Sequence, residues 1–291
     1  MSIVITGATG QLGRLVVEQL IAAGTSPDTI VATGRDTEKL TALTREGVTV
    51  RRADFADPST LKEAFAGAEK LLLVSTATVG QRFDNHRHAI DAARDAGVSQ
   101  VVYTSIVNAS TARMQLADEH RRTEEYLRDS GLPFVILRNG WYLENYTDQL
   151  ATISQYHALV GSARDGRVSA ASRRDYAAAA VAVLTQDGHT GATYELGGSA
   201  FTLTELAATI SEVLGIDVAY RDMPVSDYTD FLIGVGLPAE MAAAVADADD
   251  GLARGELYTD SVDLQTLIGR PPTTRGDAFR DAVARVSSSQ S

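Results

Sequence analysis

The chain of 291 residues contains no cysteine. Disulfides, thiolate catalysis, cysteine-type zinc sites and iron–sulfur clusters are therefore outside its chemistry. Basic residues are in deficit, 26 Lys and Arg against 38 Asp and Glu, for a net charge of −12. Nucleic-acid binders usually carry a basic face, and anionic membranes attract one, so neither is an expected partner. No apolar run reaches the roughly 18 residues of a membrane helix. The opening MSIVITGATG has no basic segment leading into an apolar stretch, so it does not read as a signal peptide. A cytoplasmic protein is the expectation.

Metal signatures are also missing. His86 and His88 are two apart and face different ways on a helix. Asp247-Ala248-Asp249-Asp250-Gly251 resembles a calcium loop, but its glycine falls one position early and no glutamate follows where one is required. An acidic helix end is the better reading, and no metal is expected.

Hydrophobic residues make up 44% and charged residues 22%, the balance of a globular protein with room for a dinucleotide site. Short aliphatic runs at 3–6, 30–33, 48–51, 70–74, 101–104 and 133–137 alternate with stretches of helical spacing, such as Leu12, Leu15, Val16 and Leu20 before Gly24. This alternation predicts a doubly wound parallel sheet of the Rossmann kind, covered on both faces. The pattern weakens after about residue 150. There the sequence predicts helices at 173–186 and 202–214, the second opened by a Thr202/Glu205 capping box, and strands at 192–196 and 218–221. Residues 224–284 read as mostly helical, broken by Pro238 and Pro271-Pro272, and the tail VSSSQS as disordered. The expected division is a cofactor-binding domain over 1–150 and a smaller α/β substrate lobe over 151–291, interleaved in one unit.

The run Gly7-Ala8-Thr9-Gly10-Gln11-Leu12-Gly13 joins the first strand to the first helix. Gly7 permits the tight turn, Gly10 lets backbone approach a pyrophosphate, and Gly13 permits close helix–strand packing. The phosphates then meet free N–H groups at a helix N-terminus. The second strand ends in Thr33-Gly34-Arg35-Asp36. An acid at the strand end would hold a ribose 2′-OH, whereas Arg35 suits a 2′-phosphate. A charged hydrogen bond of about 1.5–3 kcal/mol predicts a roughly ten- to hundredfold preference for NADPH over NADH. Asp36 competes as a ribose ligand or serves as a helix cap. Asp54 follows the third strand, within reach of an adenine amino group. Ser75 and Thr76 follow the fourth, at the sheet edge where ligands of open α/β sheets bind.

The glycine pattern resembles extended and atypical short-chain dehydrogenases. Most of these protonate a carbonyl with a Tyr-x-x-x-Lys pair on the helix after the fifth strand. Here that helix carries His120 and Glu124 at the corresponding spacing, and Tyr126 is followed four residues on by Ser130. An ordinary alcohol dehydrogenase or sugar epimerase is therefore not expected. A quinone needs no strong internal acid, because its hydroquinone is a phenol with a pKa of about 10 that solvent protonates at neutral pH. The protein has only to stack the quinone and offer hydrogen bonds.

More specifically, the chain resembles the NmrA-like atypical short-chain dehydrogenases, and within them the type 2 NAD(P)H:quinone oxidoreductase group. The stretches that carry this are ITGATGQLG at 5–13, Arg35, EKLLLVST at 69–76, VGQR at 79–82, ADEH at 117–120, LRNGWYLENY at 137–146, Arg-Asp-Tyr-Ala at 174–177 and LIGRPPTT at 267–274. The resemblance implies a flavin-free enzyme with NADPH along the strand ends and quinone beneath the C-terminal lobe. It implies that Gly7, Thr9, Gly10, Gln11, Leu12, Arg35, Ser75, Thr76 and the 139–145 loop contact cofactor or frame the cleft.

From the residues themselves, Gly13, Asp54, Asn139, Gly140, Trp141 and Tyr142 join the cofactor-side candidates. Gly140 would admit close backbone approach, Trp141 and Tyr142 offer ring faces, and Asn145 is an amide donor. Core aromatics with Asn139 in a turn are the structural alternative. Catalytic candidates are Tyr142, Asn145, His120 and Ser105. His120 reads either as a substrate neighbour or as a partner of Glu124 on a solvated face. Ser105 reads as facing the nicotinamide, since no nucleophile elbow accompanies it. Two functions remain: NADPH-dependent quinone reduction, and a non-catalytic NADP(H) sensor acting through a protein partner. Reduction of another activated acceptor would use the same architecture. A homodimer is the default assembly.

Overall fold

Each predicted apolar run of the first half becomes a strand of one parallel sheet. The computed structural model describes residues 2–76, 78 and 80–289. Val79 of the 79–82 stretch and the last two residues of the tail lie outside these. Strands β1 (Ile3–Ile5), β2 (Ile30–Gly34), β3 (Thr49–Arg52), β4 (Lys70–Leu73), β5 (Gln100–Ile106) and β6 (Phe134–Asn139) are joined by a strand from the second half of the chain, β9 (Thr193–Leu196), in the order β3-β2-β1-β4-β5-β6-β9. Val4 sits between Val31 and Leu71 in register. Every residue of β5 is buried, as a strand covered on both faces requires.

One face packs on α1 (Gln11–Ala22) through Leu12, Val16, Val17 and Leu20. The opposite face packs on α3 (Ser59–Phe65), α4 (Arg82–Asp95) and α5 (Gln115–Asp129) through Phe65, Ile90 and Leu127. Each such side chain, fully buried, contributes about 1.5–3 kcal/mol. A short α2 (Thr41–Arg45) precedes β3. After β6 come α6 (Glu144–Thr147), α7 (Leu150–Tyr156), β7 (Ala158–Gly161) and β8 (Arg167–Val168), which start the lobe.

The chain then returns. α8 (Arg173–Thr185) packs beside α1 on the sheet, and β9 (Thr193–Leu196) adds the seventh strand next to β6. It leaves again for β10 (Phe201–Thr202), α9 (Leu203–Leu214), β11 (Ala219–Asp222), α10 (Val225–Gly234) and α11 (Ala239–Ala253), and comes back once more as α12 (Asp263–Ile268). Segments beyond residue 150 are thus built into the sheet unit twice, and a cut at 150 separates chain length more than structure. The lobe's own core includes Leu159, Phe201, Leu206, Ile210 and Leu252.

The capping box is formed in both directions. Thr202 Oγ1 accepts from the Glu205 N–H at 3.1 Å, and Glu205 Oε2 accepts from the Thr202 N–H at 3.0 Å. The acidic segment 247–251 lies inside α11, as a helix end. The tail differs from expectation. α13 (Arg275–Ser289) carries helix through Val286–Ser289, because Phe279 and Ala282 are buried in the lobe core and a packed helix propagates past its anchor. β7, β8 and β10 were not predicted. β7 pairs only with β11, some sixty residues later, so nothing local in Ala158–Gly161 marks it as a strand.

Two of the quoted stretches meet in space. Asp175 of α8, fully buried, accepts from Arg270 Nη2 at 2.6 Å and from the Thr273 N–H at 2.8 Å. Asp175 therefore ties the 267–274 segment to the sheet unit, a structural role.

Candidate active site

A cleft of about 520 Å³ opens at the carboxyl ends of β1–β4, where the strand order reverses. This is the place an open α/β sheet offers a ligand. It is lined by the glycine turn, the ends of β2, β3 and β4, the start of α4, Tyr142 and Arg173.

Gly7 has φ +61°, a left-handed conformation that glycine adopts without strain. A Cβ on Gly13 would lie 2.5 Å from the Gly7 carbonyl oxygen, so the helix can start this close to the turn only with glycine there. Gly10 precedes α1 without a side-chain cap, and the first turn of α1 holds no acid. The N-terminus of α1 is thus left open to an anion, as a pyrophosphate requires. Thr9, Gln11 and Leu12 line the same end of the cleft.

Arg35 is exposed on the cleft rim and makes no ion pair among the described residues. Asp36 instead caps the following turn, its Oδ1 accepting from the Glu38 N–H at 3.2 Å, with Lys39 3.6 Å from Oδ2. Of the two strand-end candidates, the acid is occupied locally and the guanidinium is available. Asp54 lines the cleft and accepts from the Ala56 N–H at 3.1 Å. Phe55 beside it gives an aromatic face that the sequence reading missed, because an aromatic after a strand end carries no pattern of its own.

Ser75 and Thr76 line the middle of the cleft. The Ser75 N–H is held by Thr104 Oγ1 at 2.9 Å, and the Thr76 N–H donates to His86 Nε2 at 3.1 Å. Thr76 Oγ1 is buried without a hydrogen-bond partner, a hydroxyl that a bound ribose or amide would satisfy. Beneath it, Arg82 Nε donates to the Thr76 carbonyl at 2.7 Å while Nη1 pairs with Glu119 at 3.3 Å. Burial, with Arg82 adding to it, drives the His86 pKa down to about 3. His86 is therefore neutral and, accepting at Nε2, carries its proton on Nδ1. His88 turns the other way, to the Phe55 carbonyl at 2.9 Å.

The catalytic candidates separate. Tyr142 reaches the cleft wall. Burial raises its pKa, so its phenol is a neutral hydrogen-bond donor at ordinary pH. Asn145 is not in the lining; its Oδ1 accepts from Arg173 Nη2 at 3.3 Å. Ser105 is buried and its hydroxyl donates to Glu124 Oε1 at 2.6 Å, so it is turned to the helix and not to the cleft. His120 is also buried, 2.7 Å from the Tyr103 hydroxyl through Nδ1. The solvated-face alternative for His120 is thereby corrected: Glu124 takes Arg138, Arg128 and Ser105, and His120 takes Tyr103. Burial first, then Arg82 and His86, holds the His120 pKa well below its usual value.

Asn139, Gly140 and Trp141 are likewise outside the cleft lining. A Cβ on Gly140 would meet the Ser169 carbonyl at 2.6 Å and the Tyr176 hydroxyl at 2.9 Å. The close approach this glycine permits is to the chain itself. Trp141 packs against the lobe core. Gln81, Asn85 and Arg173 are cleft residues that the sequence reading passed over, since their approach depends on how α4 and α8 cross the strand ends.

Comparison with known proteins follows the same lines. A family profile described as NAD(P)H-binding matches residues 7–187. The chain is 46% identical to quinone oxidoreductase 2 of Escherichia coli (strain K12) over 277 residues, 95% of this chain and 96% of that protein. The crystal structure of the E. coli NADPH-dependent quinone oxidoreductase complexed with NADPH superposes with a TM-score of 0.93 at 45% identity, covering 97% of this chain and 99% of that one. Triphenylmethane reductase of Citrobacter sp., complexed with NADP(H), gives a TM-score of 0.92 at 35% identity, covering 97% and 100%.

Proposed function

The chain belongs to the NAD(P)H-binding family, in the NmrA-like branch that includes quinone oxidoreductase 2, and on that premise we propose that it reduces quinones to hydroquinones with NADPH. The observation that carries this is the cleft itself. It joins an open helix N-terminus, a strand-end arginine with no ion pair among the described residues and an aromatic wall, in a chain 46% identical to a quinone oxidoreductase.

The residues fit the cofactor. The turn Gly7–Gly13 and the start of α1 would receive the pyrophosphate, Arg35 the 2′-phosphate, and Asp54 with Phe55 the adenine. Ser75 and the Thr76 hydroxyl, buried without a hydrogen-bond partner, would face the nicotinamide half. When bound, NADPH supplies a hydride. The chain's own groups then hold the acceptor flat against it, with the Tyr142 phenol donating a hydrogen bond. His120, buried, neutral and bonded to Tyr103, takes no part. The missing Tyr-x-x-x-Lys pair suits an acceptor whose product solvent can protonate. The proposed transfer runs directly from the nicotinamide to the acceptor, without flavin. The proposal takes the protein as a cytoplasmic homodimer, and the acidic charge balance disfavours nucleic acid and anionic membranes as partners.

The test is NADPH oxidation with and without 1,4-benzoquinone, on protein whose visible spectrum shows no flavin band. Quinone-dependent loss of the dihydronicotinamide absorbance is expected. NADPH binding without oxidation would move the chain to the sensor reading, and a bound flavin would remove direct transfer.

A further inference from the structure

The stretch 142–145 closes on one side chain outside itself, Arg173, the first residue of α8. The Arg173 N–H donates to both oxygens of Glu144, at 2.9 and 3.0 Å. Its guanidinium carbon lies 4.8 Å from the centre of the Tyr142 ring, a cation–π stack. Nη2 donates to Asn145 Oδ1 at 3.3 Å. Three residues of the most distinctive stretch of the sequence thus fix one arginine.

Its remaining terminal nitrogen, Nη1, makes no hydrogen bond and pairs only loosely with Asp148, whose Oδ2 is 3.7 Å away. A cationic donor that lacks a hydrogen bond is the kind of group a ligand completes. Arg173 and Tyr142 both line the cleft. Tyr142 follows β6, which lies beyond β4 and β5 from β1, whereas Arg35 follows β2 on the other side. Arg173 therefore stands at the end of the cleft opposite the 2′-phosphate site. Thr78, Gln81, Asn85 and Tyr142 of the lining are neutral, and the carboxylates beside Arg173 are Glu144, on its N–H, and Asp148.

We propose that Arg173 binds the quinone oxygen on which negative charge gathers during reduction, an inference that rests on the quinone-reductase reading. Two electrons and one proton reach the quinone as a hydride from NADPH, which becomes NADP⁺. The quinone becomes a hydroquinone monoanion, and Arg173 holds its anionic oxygen until a solvent proton completes the hydroquinone. The guanidinium stabilises charge and transfers no proton. Arg173 is then a catalytic residue, and Tyr142, Glu144 and Asn145 position it.

The experiment compares the unaltered protein with Arg173→Met and Arg173→Lys on a series of 1,4-benzoquinones from tetrachloro to tetramethyl. Loss of a donor to a developing oxyanion lowers kcat by about a hundredfold. Arg173→Met should approach that loss with the tetramethyl compound, whose hydroquinone anion is most basic, and lose far less with the tetrachloro compound. Arg173→Lys, which keeps the charge, should retain more of the rate. NADPH affinity by fluorescence titration should stay within about twofold. A second arm needs no turnover. 4-Nitrophenol, yellow only when ionised, is titrated into the NADP⁺ complex; the unaltered protein should lower its apparent pKa and Arg173→Met should not. A uniform rate loss across the series, a tenfold weaker NADPH complex, or the same nitrophenol pKa in both proteins would overturn the proposal. Failure of the quinone reading looks different: the unaltered protein would bind NADPH and oxidise it with none of the quinones.

Discussion

Glu124 grips Arg138 through two parallel hydrogen bonds, Nε to Oε1 at 2.8 Å and Nη2 to Oε2 at 2.7 Å. The carboxylate is almost fully buried and also accepts from Ser105 and Arg128. Burial opposes its ionisation, but the Arg138 and Ser105 hydrogen bonds outweigh that and hold its pKa below the usual value. Arg138 continues to Glu195 at 2.7 Å, joining α5 to β6 and β9. The position at which most short-chain dehydrogenases carry a catalytic lysine is thus a structural clamp.

Removing that clamp should be costly. Glu124→Ala leaves Arg138 charged, buried and short of a partner, a change worth about 3–5 kcal/mol. Urea unfolding monitored by circular dichroism measures it. A loss under about 1 kcal/mol would mean that Arg138 finds solvent or Glu195 enough, and the clamp would be incidental.

Gly13 and Gly10 should answer differently to alanine. At Gly13 the new Cβ would press on the Gly7 carbonyl at 2.5 Å, so α1 must shift from the turn. NADPH affinity should drop by at least about tenfold. At Gly10 the new Cβ would meet the Gly7 oxygen only at 3.3 Å, with φ at −91°, so the fold tolerates it. Melting temperature without ligand separates the two: lowered for Gly13→Ala, nearly unchanged for Gly10→Ala.

Arg35→Glu should raise the KM for NADPH by roughly ten- to hundredfold and leave that for NADH little changed, since a carboxylate repels a 2′-phosphate and tolerates a 2′-OH. Because Arg35 is exposed, the discrimination should shrink as salt is raised. An unchanged ratio of the two KM values would remove Arg35 from the site.

Asp249 gives the lobe a pH dependence of its own. Burial, with Asp222 adding to it, raises its pKa from 3.8 to about 6, although the Ser162 N–H at 2.9 Å pulls the other way. The folded state holds a proton that the unfolded state releases. This contribution is complete below pH 3.8 and is lost as pH rises through about 6. Asp249→Asn, which cannot ionise, should gain stability relative to the unaltered protein as pH goes from 4 to 7, on the order of 2 kcal/mol. His86 acts in the opposite sense: its pKa of about 3 makes acid, below 6.5, destabilising. Thermal melts of both proteins across pH isolate the Asp249 part, because the His86 effect is common to them.

Much of this was legible beforehand because it is local. The strand–turn–helix around Gly7–Gly13, the capping box at Thr202 and Glu205, and the helix stops all depend on residues within a few positions of one another. Strand ends moved by one or two residues, but their order and type held from β1 to β6. β7, β8 and β10 escaped because each is two to four residues long and pairs with a segment far along the chain. Ser105, His120, Asn145 and the 139–141 run looked like cleft residues from their place after strands. The Ser105, His120 and Asn145 side chains are bonded to other residues and Trp141 packs in the lobe core, which no spacing discloses.

The sequence by itself determined the dinucleotide fold, the glycine turn and the available strand-end arginine, because helix and strand periods and the conformational freedom of glycine are properties of the chain alone. The tertiary structure alone decided which polar side chains face the cleft. Glu124 chose Arg138 over His120, and Arg173 was brought to Tyr142, because burying a charge or a hydrogen-bonding group forces it onto whatever partner the packing of distant elements supplies.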